Sequence, residues 1–198
     1  MLKQILGIGL AILLGVGSAW HAVKWYSSQP PDTHQPQALP AGCDFSLHAP
    51  DKTLSLHDLK GKVVVLYFGY TACPDICPTS MATLKGGLNA LKPEELAQVQ
   101  GIFVSVDPER DTPQKVHEYA QYFHPSILGL TDTPDVLASV AKQYNVFYRK
   151  VPMPNSAMGY TLDHSSWLYI IDKNGQLREQ VQHIFAPQDL ANVIRKYL

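Results

Sequence analysis

The amino-acid sequence predicts an α/β fold for residues 43–198. Stretches of strand character alternate there with stretches of helical character, and no internal repeat is present. Two of the strand stretches, KVVVLYFGY and GIFVSVD, are almost uninterrupted apolar runs, which are typical of strands buried on both faces. We therefore expect a central mixed sheet that is flanked by helices.

The first elements of this domain surround the central strand. Residues 43–61 predict a short strand, a turn, and then a second short strand or helical turn, and residues 62–70 follow as the central strand. A helix is predicted from Pro78 to about Leu91, because proline is favoured at the first helical position and apolar residues then recur at helical spacing. Since the residue before a proline disfavours helical geometry, Cys77 is expected at or just before the cap of this helix.

The later elements carry equally local signals. A second buried strand is predicted at 101–107, and the motif SSWLYIID-NG-QLREQVQ predicts a β-hairpin whose type I′ turn is Asn174-Gly175. Two Thr-Pro pairs and the C-terminal pattern predict helices at about 113–123, 134–144 and 187–197. This order is that of a thioredoxin-like domain with a C-terminal β-hairpin, and sites in open α/β sheets form at the carboxyl ends of strands.

The N-terminus predicts a single membrane anchor over residues 1–25. Residues 4–23 contain no formally charged side chain, and the aromatic residues Trp20, Trp25 and Tyr26 follow, as they do at a membrane interface. The alternative is a cleaved signal peptide, and either interpretation exports the rest of the chain. Residues 26–42 are rich in proline and poor in large apolar residues, so we expect a semi-extended tether.

The charge balance argues against one class of partner. The formal net charge is −1, and no dense run of lysine and arginine is present. A nucleic-acid-binding protein needs a basic surface to neutralise phosphates, so we predict no nucleic-acid partner.

The motif GYTACPDICPTSM places Cys73 and Cys77 four positions apart, between the central strand and the next helix. The positive end of a helix dipole favours the thiolate, which attacks disulfides and binds metals. Three interpretations stay open: a structural disulfide, a redox dithiol, or part of a metal site. So short a loop gains little from a structural disulfide, and thioredoxin-type dithiols normally have two intervening residues rather than three. A metal site would need a third ligand from elsewhere in the chain.

One of the eight histidines is a candidate for that ligand. His164 stands after a loop and directly before a buried strand, with Asp163 beside it to orient the ring or balance its charge. Two thiolates and one imidazole would form a soft set of low coordination number, which suits Cu(I). The histidines in other polar contexts of the domain are predicted to be solvated surface side chains: His48, His57, His117, His124 and His183.

With these motifs the chain resembles the Sco/SenC family of copper-binding assembly proteins for cytochrome c oxidase. The resemblance covers residues 43–198 and is carried by three motifs in order: YFGYTACPDICPTSM, SVDPERDTP and LDHSSWLYIIDKNG. It implies a thioredoxin-like fold that binds one copper ion, as Cu(I) or Cu(II), through Cys73, Cys77 and His164. Asp163 would support His164 without binding the metal.

The resemblance also implies a function. The chain would be a membrane-tethered copper chaperone for the CuA site on subunit II of cytochrome c oxidase, served by a periplasmic copper donor or thiol reductant. The alternative is a thiol-disulfide oxidoreductase, in which Cys73 and Cys77 are a redox-active pair and His164 is incidental. Because no Arg-rich transit segment precedes the anchor, we expect a bacterial inner membrane with the domain in the periplasm.

The sequence also predicts the role or environment of three further features. The SVDPERDTP motif, with Asp107 and Asp111, is expected either to dock a partner or to act structurally through capping by Thr112. Cys43 is expected to be a small buried or edge residue. The segment RKVPMPNSAMGY, residues 149–160, is expected to be a mobile loop that lets His164 approach and leave.

Overall fold

The computed structural model describes residues 44–182 and 186–198. The predicted anchor, the tether, Cys43 and His183 lie outside these ranges. Among the residues described, no helix is long and apolar enough to cross a membrane. The strands are β1 (Ser46–His48), β2 (Thr53–Ser55), β3 (Val63–Gly69), β4 (Val99–Ser105), β5 (Ile127–Leu130), β6 (Tyr148–Met153), β7 (Gly159–His164), β8 (Trp167–Ile171) and β9 (Leu177–Gln182). The helices are α1 (Ile76–Asn89), α2 (Pro93–Leu96), α3 (Pro113–Phe123), α4 (Pro134–Gln143) and α5 (Pro187–Arg195), with a 3-10 turn at Leu56–Leu59.

The core of the fold is a five-stranded mixed sheet with the order β5-β4-β3-β8-β9. Strands β3, β4 and β5 run parallel, whereas β8 and β9 are antiparallel to their neighbours. Strand β3 lies in the middle of the sheet, and all seven of its residues are buried. The prediction of a mixed sheet around this central strand is therefore confirmed.

The two Thr-Pro pairs begin helices where the sequence predicts them, although only Thr112, and not Thr133, makes a side-chain capping bond. Thr112 takes an extended conformation before α3 and accepts a hydrogen bond from the Lys115 backbone N–H, as an N-cap does. Pro113 and Pro134 occupy the first positions of α3 and α4. At that position the missing N–H would have no partner within the helix.

Helix α1 begins earlier than predicted. Its first residue is Ile76, so Cys77 lies inside the first turn rather than at the cap. Pro78 is then the third helical residue, and its missing N–H costs nothing because the first N–H groups of a helix have no partner within it. The preference against helical geometry before proline is overcome here.

Two hairpins also differ from the sequence prediction. The turn between β8 and β9 does not have Asn174 at a positive φ, as a type I′ turn requires. Instead Gly175 alone is left-handed, with φ 82°, and the Gly175 N–H donates to the Asp172 carbonyl. Residues 149–160, predicted as a loop, contribute to both arms of an antiparallel hairpin formed by β6 and β7, and only 154–158 form the turn.

His124 is not the solvated surface side chain that the sequence predicts. It is buried, with 8% of its surface exposed, and its Nδ1 accepts a hydrogen bond from the Ser126 backbone N–H at 3.0 Å. Burial, and then the positive charge of Lys85, lower the pKa of this imidazole. Nδ1 must be unprotonated to accept the bond, so the His124 ring is neutral in the folded protein.

We expect the buried His124 to make the fold sensitive to mild acid. Because its pKa is lower in the folded chain than the roughly 6.5 of an unfolded histidine, the unfolded chain gains this proton first as the pH falls. The free energy of unfolding should therefore decrease as the pH falls through that range. Urea denaturation at about pH 7.5 and about pH 5.5 should show a smaller decrease in His124→Asn, which keeps an acceptor but does not titrate. The exposed His57→Asn is the matched control; an equal decrease in His124→Asn and the parent would contradict this account.

Candidate metal centre

Three side chains of types that can bind a metal meet at the carboxyl end of β3. Cys73 lies in the loop after β3, Cys77 in the first turn of α1, and His164 at the end of β7. One ligand atom from each lies within 4.8 Å of the other two. The Cys77 Sγ is 3.3 Å from the His164 Nε2, and the Cys73 Sγ is 3.4 Å from the Cys77 backbone nitrogen. The structure thus brings together the three residues that the sequence singles out.

The backbone, rather than an acidic side chain, orients the His164 ring. Its Nδ1 lies 2.8 Å from the Ser165 carbonyl oxygen, which can only accept a hydrogen bond. The ring proton therefore resides on Nδ1, and the lone pair on Nε2 faces the sulfur of Cys77.

Asp163 does not take the position predicted for it. Its carboxylate pairs with the Arg149 guanidinium at 2.8 Å, and about half of its side chain is exposed. The physical reason is the alternation of a strand, which directs neighbouring residues of β7 to opposite faces. The Ser165 carbonyl supplies the hydrogen bond that the sequence attributes to Asp163.

Cys73 is the accessible thiol of the pair. It is half-buried, and its sulfur accepts the Cys77 backbone N–H at the start of α1. The Asp75 side chain does not cap this helix, so the sulfur of Cys73 satisfies an N–H group that a cap would otherwise bind. The Cys77 thiol, and then His164 and the backbone N–H groups of Asp75 and Cys77, lower the pKa of Cys73 well below its ordinary value, against the effect of burial. This environment favours the thiolate.

Cys77 is the enclosed thiol of the pair. It is completely buried, and burial raises its pKa. The Tyr67 hydroxyl donates to its sulfur at 3.6 Å. The backbone of Gly69 passes directly beneath, so close that a Cβ there would lie 2.7 Å from this sulfur. Both cysteines are free thiols in the structure.

Asp111 fixes the cysteine loop to the sheet. It is 1% exposed and accepts hydrogen bonds from the Thr71 backbone N–H at 2.8 Å, the Ser105 hydroxyl at 2.6 Å and the Lys115 ammonium at 3.0 Å. Burial raises the pKa of this carboxyl, but the bonds from Ser105, Thr71 and Lys115 together hold it below its ordinary value. These contacts favour the structural interpretation of Asp111.

Asp107 has a similar internal role beneath the β6–β7 hairpin. It is also 1% exposed, and it accepts bonds from the Arg110 Nε and the Tyr160 hydroxyl, each at 2.6 Å. Arg110 in turn donates to the Tyr160 carbonyl at 3.0 Å, and its guanidinium lies 3.8 Å from the centre of the Tyr160 ring. The motif SVDPERDTP thus holds two segments in place through buried side chains: the cysteine loop, and the β6–β7 hairpin that carries His164.

Sequence reasoning missed several residues around the centre: Tyr67, Gly69, Tyr70, Arg110 and Ser165. One signal was available for the first two. Tyr67 and Gly69 are two positions apart at the end of β3 and therefore share a face of the strand. The contribution of Ser165 is a backbone carbonyl, and no residue type signals that.

The fold and the three donors define the class of protein. It is a thioredoxin-like α/β protein that carries two thiols and one imidazole at the carboxyl end of its central strand. A family model described as SCO1/SenC matches residues 33–198. The chain therefore belongs to the SCO1/SenC family.

Individual relatives agree with this assignment. The SCO2-like protein of Rickettsia conorii is 32% identical over 193 residues, which cover 95% of this chain and 94% of that one. The mitochondrial SCO1 homolog 1 of Arabidopsis thaliana is 44% identical over 131 residues, covering 66% of this chain and 39% of that one. The copper-bound structure of ScoI from Bradyrhizobium japonicum superposes with a TM-score of 0.72 at 36% identity, covering 80% of this chain and all of that chain.

Proposed function

We propose that Cys73, Cys77 and His164 bind one copper ion and that the chain serves the assembly of cytochrome c oxidase. The observation that carries the proposal is the convergence of two free thiols and an imidazole nitrogen within 4.8 Å. A soft set of two sulfurs and one nitrogen suits Cu(I), whereas a structural Zn(II) site takes four ligands. The copper-bound ScoI of Bradyrhizobium japonicum, a structural neighbour, supports copper as the metal.

The ion is cargo rather than a fixed cofactor in this proposal. Cys73 is half-buried, so a partner protein has access to one side of the centre. A centre with three protein ligands also leaves a coordination position through which an incoming ligand can enter. We propose the CuA site of oxidase subunit II as the recipient, and a periplasmic protein as the copper donor.

A second candidate function has its own supporting observation, which is the unequal exposure of the two thiols. The Cys73 thiolate would attack one sulfur of a partner's disulfide and form a mixed disulfide, releasing the partner's other thiolate. The buried Cys77, once deprotonated, would then attack the Cys73 sulfur and release the partner's second thiolate. The partner gains two electrons and this chain ends as a disulfide, which a dithiol reductant would have to reduce again.

A transfer assay separates these two functions. The full-length protein, loaded with Cu(I) or reduced without copper, would be mixed with apo subunit II whose CuA cysteines are either reduced or disulfide-bonded. A chaperone delivers copper to the reduced recipient, and His164→Ala impairs that delivery. A reductase without copper reduces the disulfide-bonded recipient, and that reaction requires Cys73 and Cys77 but no bound copper. Retention of copper by the loaded parent, with no transfer to the reduced recipient, would contradict the chaperone.

We further propose that residues 1–25 anchor the chain in a bacterial inner membrane, with residues 43–198 in the periplasm. The support is the uncharged run at 4–23 with aromatic residues at its far end. Protease added to spheroplasts should then release the folded domain by cutting the tether at 26–42. Protection of the tether in intact spheroplasts would contradict this orientation.

A further inference from the structure

The two halves of the candidate centre belong to separate sheets. The cysteines follow β3 of the five-stranded sheet, whereas His164 ends β7, which pairs with β6 in a sheet of its own. Among the described strands, no backbone ladder joins β7 to the five-stranded sheet. Two residues link His164 to β8, which pairs with β3, so the backbone brings His164 to this end of the sheet. The exact distance between the imidazole and the sulfurs then also depends on side-chain contacts that connect the two sheets.

The most direct of these contacts comes from Tyr70. This residue follows β3 and lies three positions before Cys73, whose backbone N–H donates to the Tyr70 carbonyl at 3.3 Å. Its side chain reaches the other sheet, where the hydroxyl bonds the Thr161 hydroxyl at 2.8 Å and accepts the Leu162 backbone N–H at 3.3 Å. Leu162 is two residues before His164, about 7 Å along the strand.

Tyr70 is itself held rigidly. It is 1% exposed, and its ring meets the His164 ring edge-on with centroids 5.7 Å apart. The Arg110 guanidinium lies 5.7 Å from the centre of the same ring. A buried ring that is fixed on two sides holds its hydroxyl in one place, so the bonds to β7 have a defined direction.

We infer that Tyr70 is a positioning residue for His164. Its hydroxyl ties β7 to the cysteine loop and thereby sets the distance of the imidazole from the two sulfurs. This inference rests on the proposed function, because it concerns copper held by those three ligands.

Removing the hydroxyl alone tests the inference. Tyr70→Phe keeps the ring against His164 but loses both bonds to β7, and Thr161→Val removes one partner of the same bonds from the other side. Side chains that orient a metal ligand typically account for about 10- to 100-fold in affinity. We expect Tyr70→Phe in the full-length protein to bind Cu(I) about tenfold more weakly. Pulsed EPR of the Cu(II) form should show a changed histidine nitrogen coupling.

A double-mutant cycle distinguishes positioning from a general effect on the fold. If Tyr70 acts through His164, Tyr70→Phe should cause no further loss of affinity in a His164→Ala background. Tyr197→Phe, which loses one hydrogen bond to Glu179 far from the cysteines, is the matched control and should bind copper as the parent does.

Two results would overturn the inference. One is parental affinity and nitrogen coupling in Tyr70→Phe, and the other is an equal loss of affinity with and without His164. The proposed function fails separately, if His164→Ala alone binds Cu(I) as tightly as the parent.

Discussion

His164→Ala should bind Cu(I) at least about 100-fold more weakly than the parent, because the loss of a ligand should exceed the 10- to 100-fold cost of losing a residue that orients one. The imidazole Nε2 lies 3.3 Å from the Cys77 sulfur, and the ring proton is on Nδ1, at the Ser165 carbonyl. Among the described residues, no further histidine, cysteine or carboxylate joins this cluster. Cys73→Ser and Cys77→Ser should abolish tight binding, since a hydroxyl is a hard ligand that Cu(I) binds poorly. Competition with a chromophoric Cu(I) chelator measures each affinity.

The exposed His57→Ala is the control for this series, since it removes an imidazole that lies outside the centre. It should bind copper as the parent does. A His164→Ala protein with parental affinity would show that the imidazole is not a ligand.

Gly69→Ala should displace the Cys77 sulfur and weaken copper binding while leaving the chain folded. The added methyl carbon would lie 2.7 Å from the Cys77 sulfur and 3.0 Å from the ring of Phe103. Since both neighbours are buried, the sulfur has to move away from its place beside His164. Overfilling a packed core typically costs about 1–3 kcal/mol, which an otherwise intact domain tolerates. We expect a cooperative urea transition at a lower midpoint, together with at least about tenfold weaker Cu(I) binding.

Gly101→Ala is a matched control for the added methyl group. Gly101 lies in the neighbouring strand β4, and a Cβ there would meet Ile127 at 3.0 Å rather than a cysteine. This variant should lose stability without losing copper affinity. Equal copper affinities in Gly69→Ala and the parent would contradict the close approach of β3 to the sulfur.

Local signals in the sequence predict the elements that local interactions determine. Strand β3 is an apolar run because it is buried in the middle of the sheet, and Thr112 begins α3 through a hydrogen bond within four residues. The β6–β7 hairpin was missed because its stability comes from elsewhere. Tyr160 and the carbonyls near it bond to Asp107 and Arg110, about 50 residues earlier in the chain.

The three candidate ligands could be predicted from the sequence, but the contacts that position them could not. Cys73 and Cys77 stand out by spacing, and His164 by its place before a buried strand and by the family resemblance. The support around them was not predictable, because it depends on where side chains point. Asp163 is adjacent to His164 in sequence but faces away along β7, whereas the Tyr70 hydroxyl reaches Thr161 across 91 positions of the chain.

The three-ligand centre can be tested directly by X-ray absorption spectroscopy of the reduced, full-length protein after titration with Cu(I). We expect one copper ion per chain with two sulfur neighbours and one nitrogen neighbour, and loss of that nitrogen in His164→Ala. A copper ion whose nitrogen neighbour persists in His164→Ala, or one with a single sulfur neighbour, would contradict the three-ligand centre.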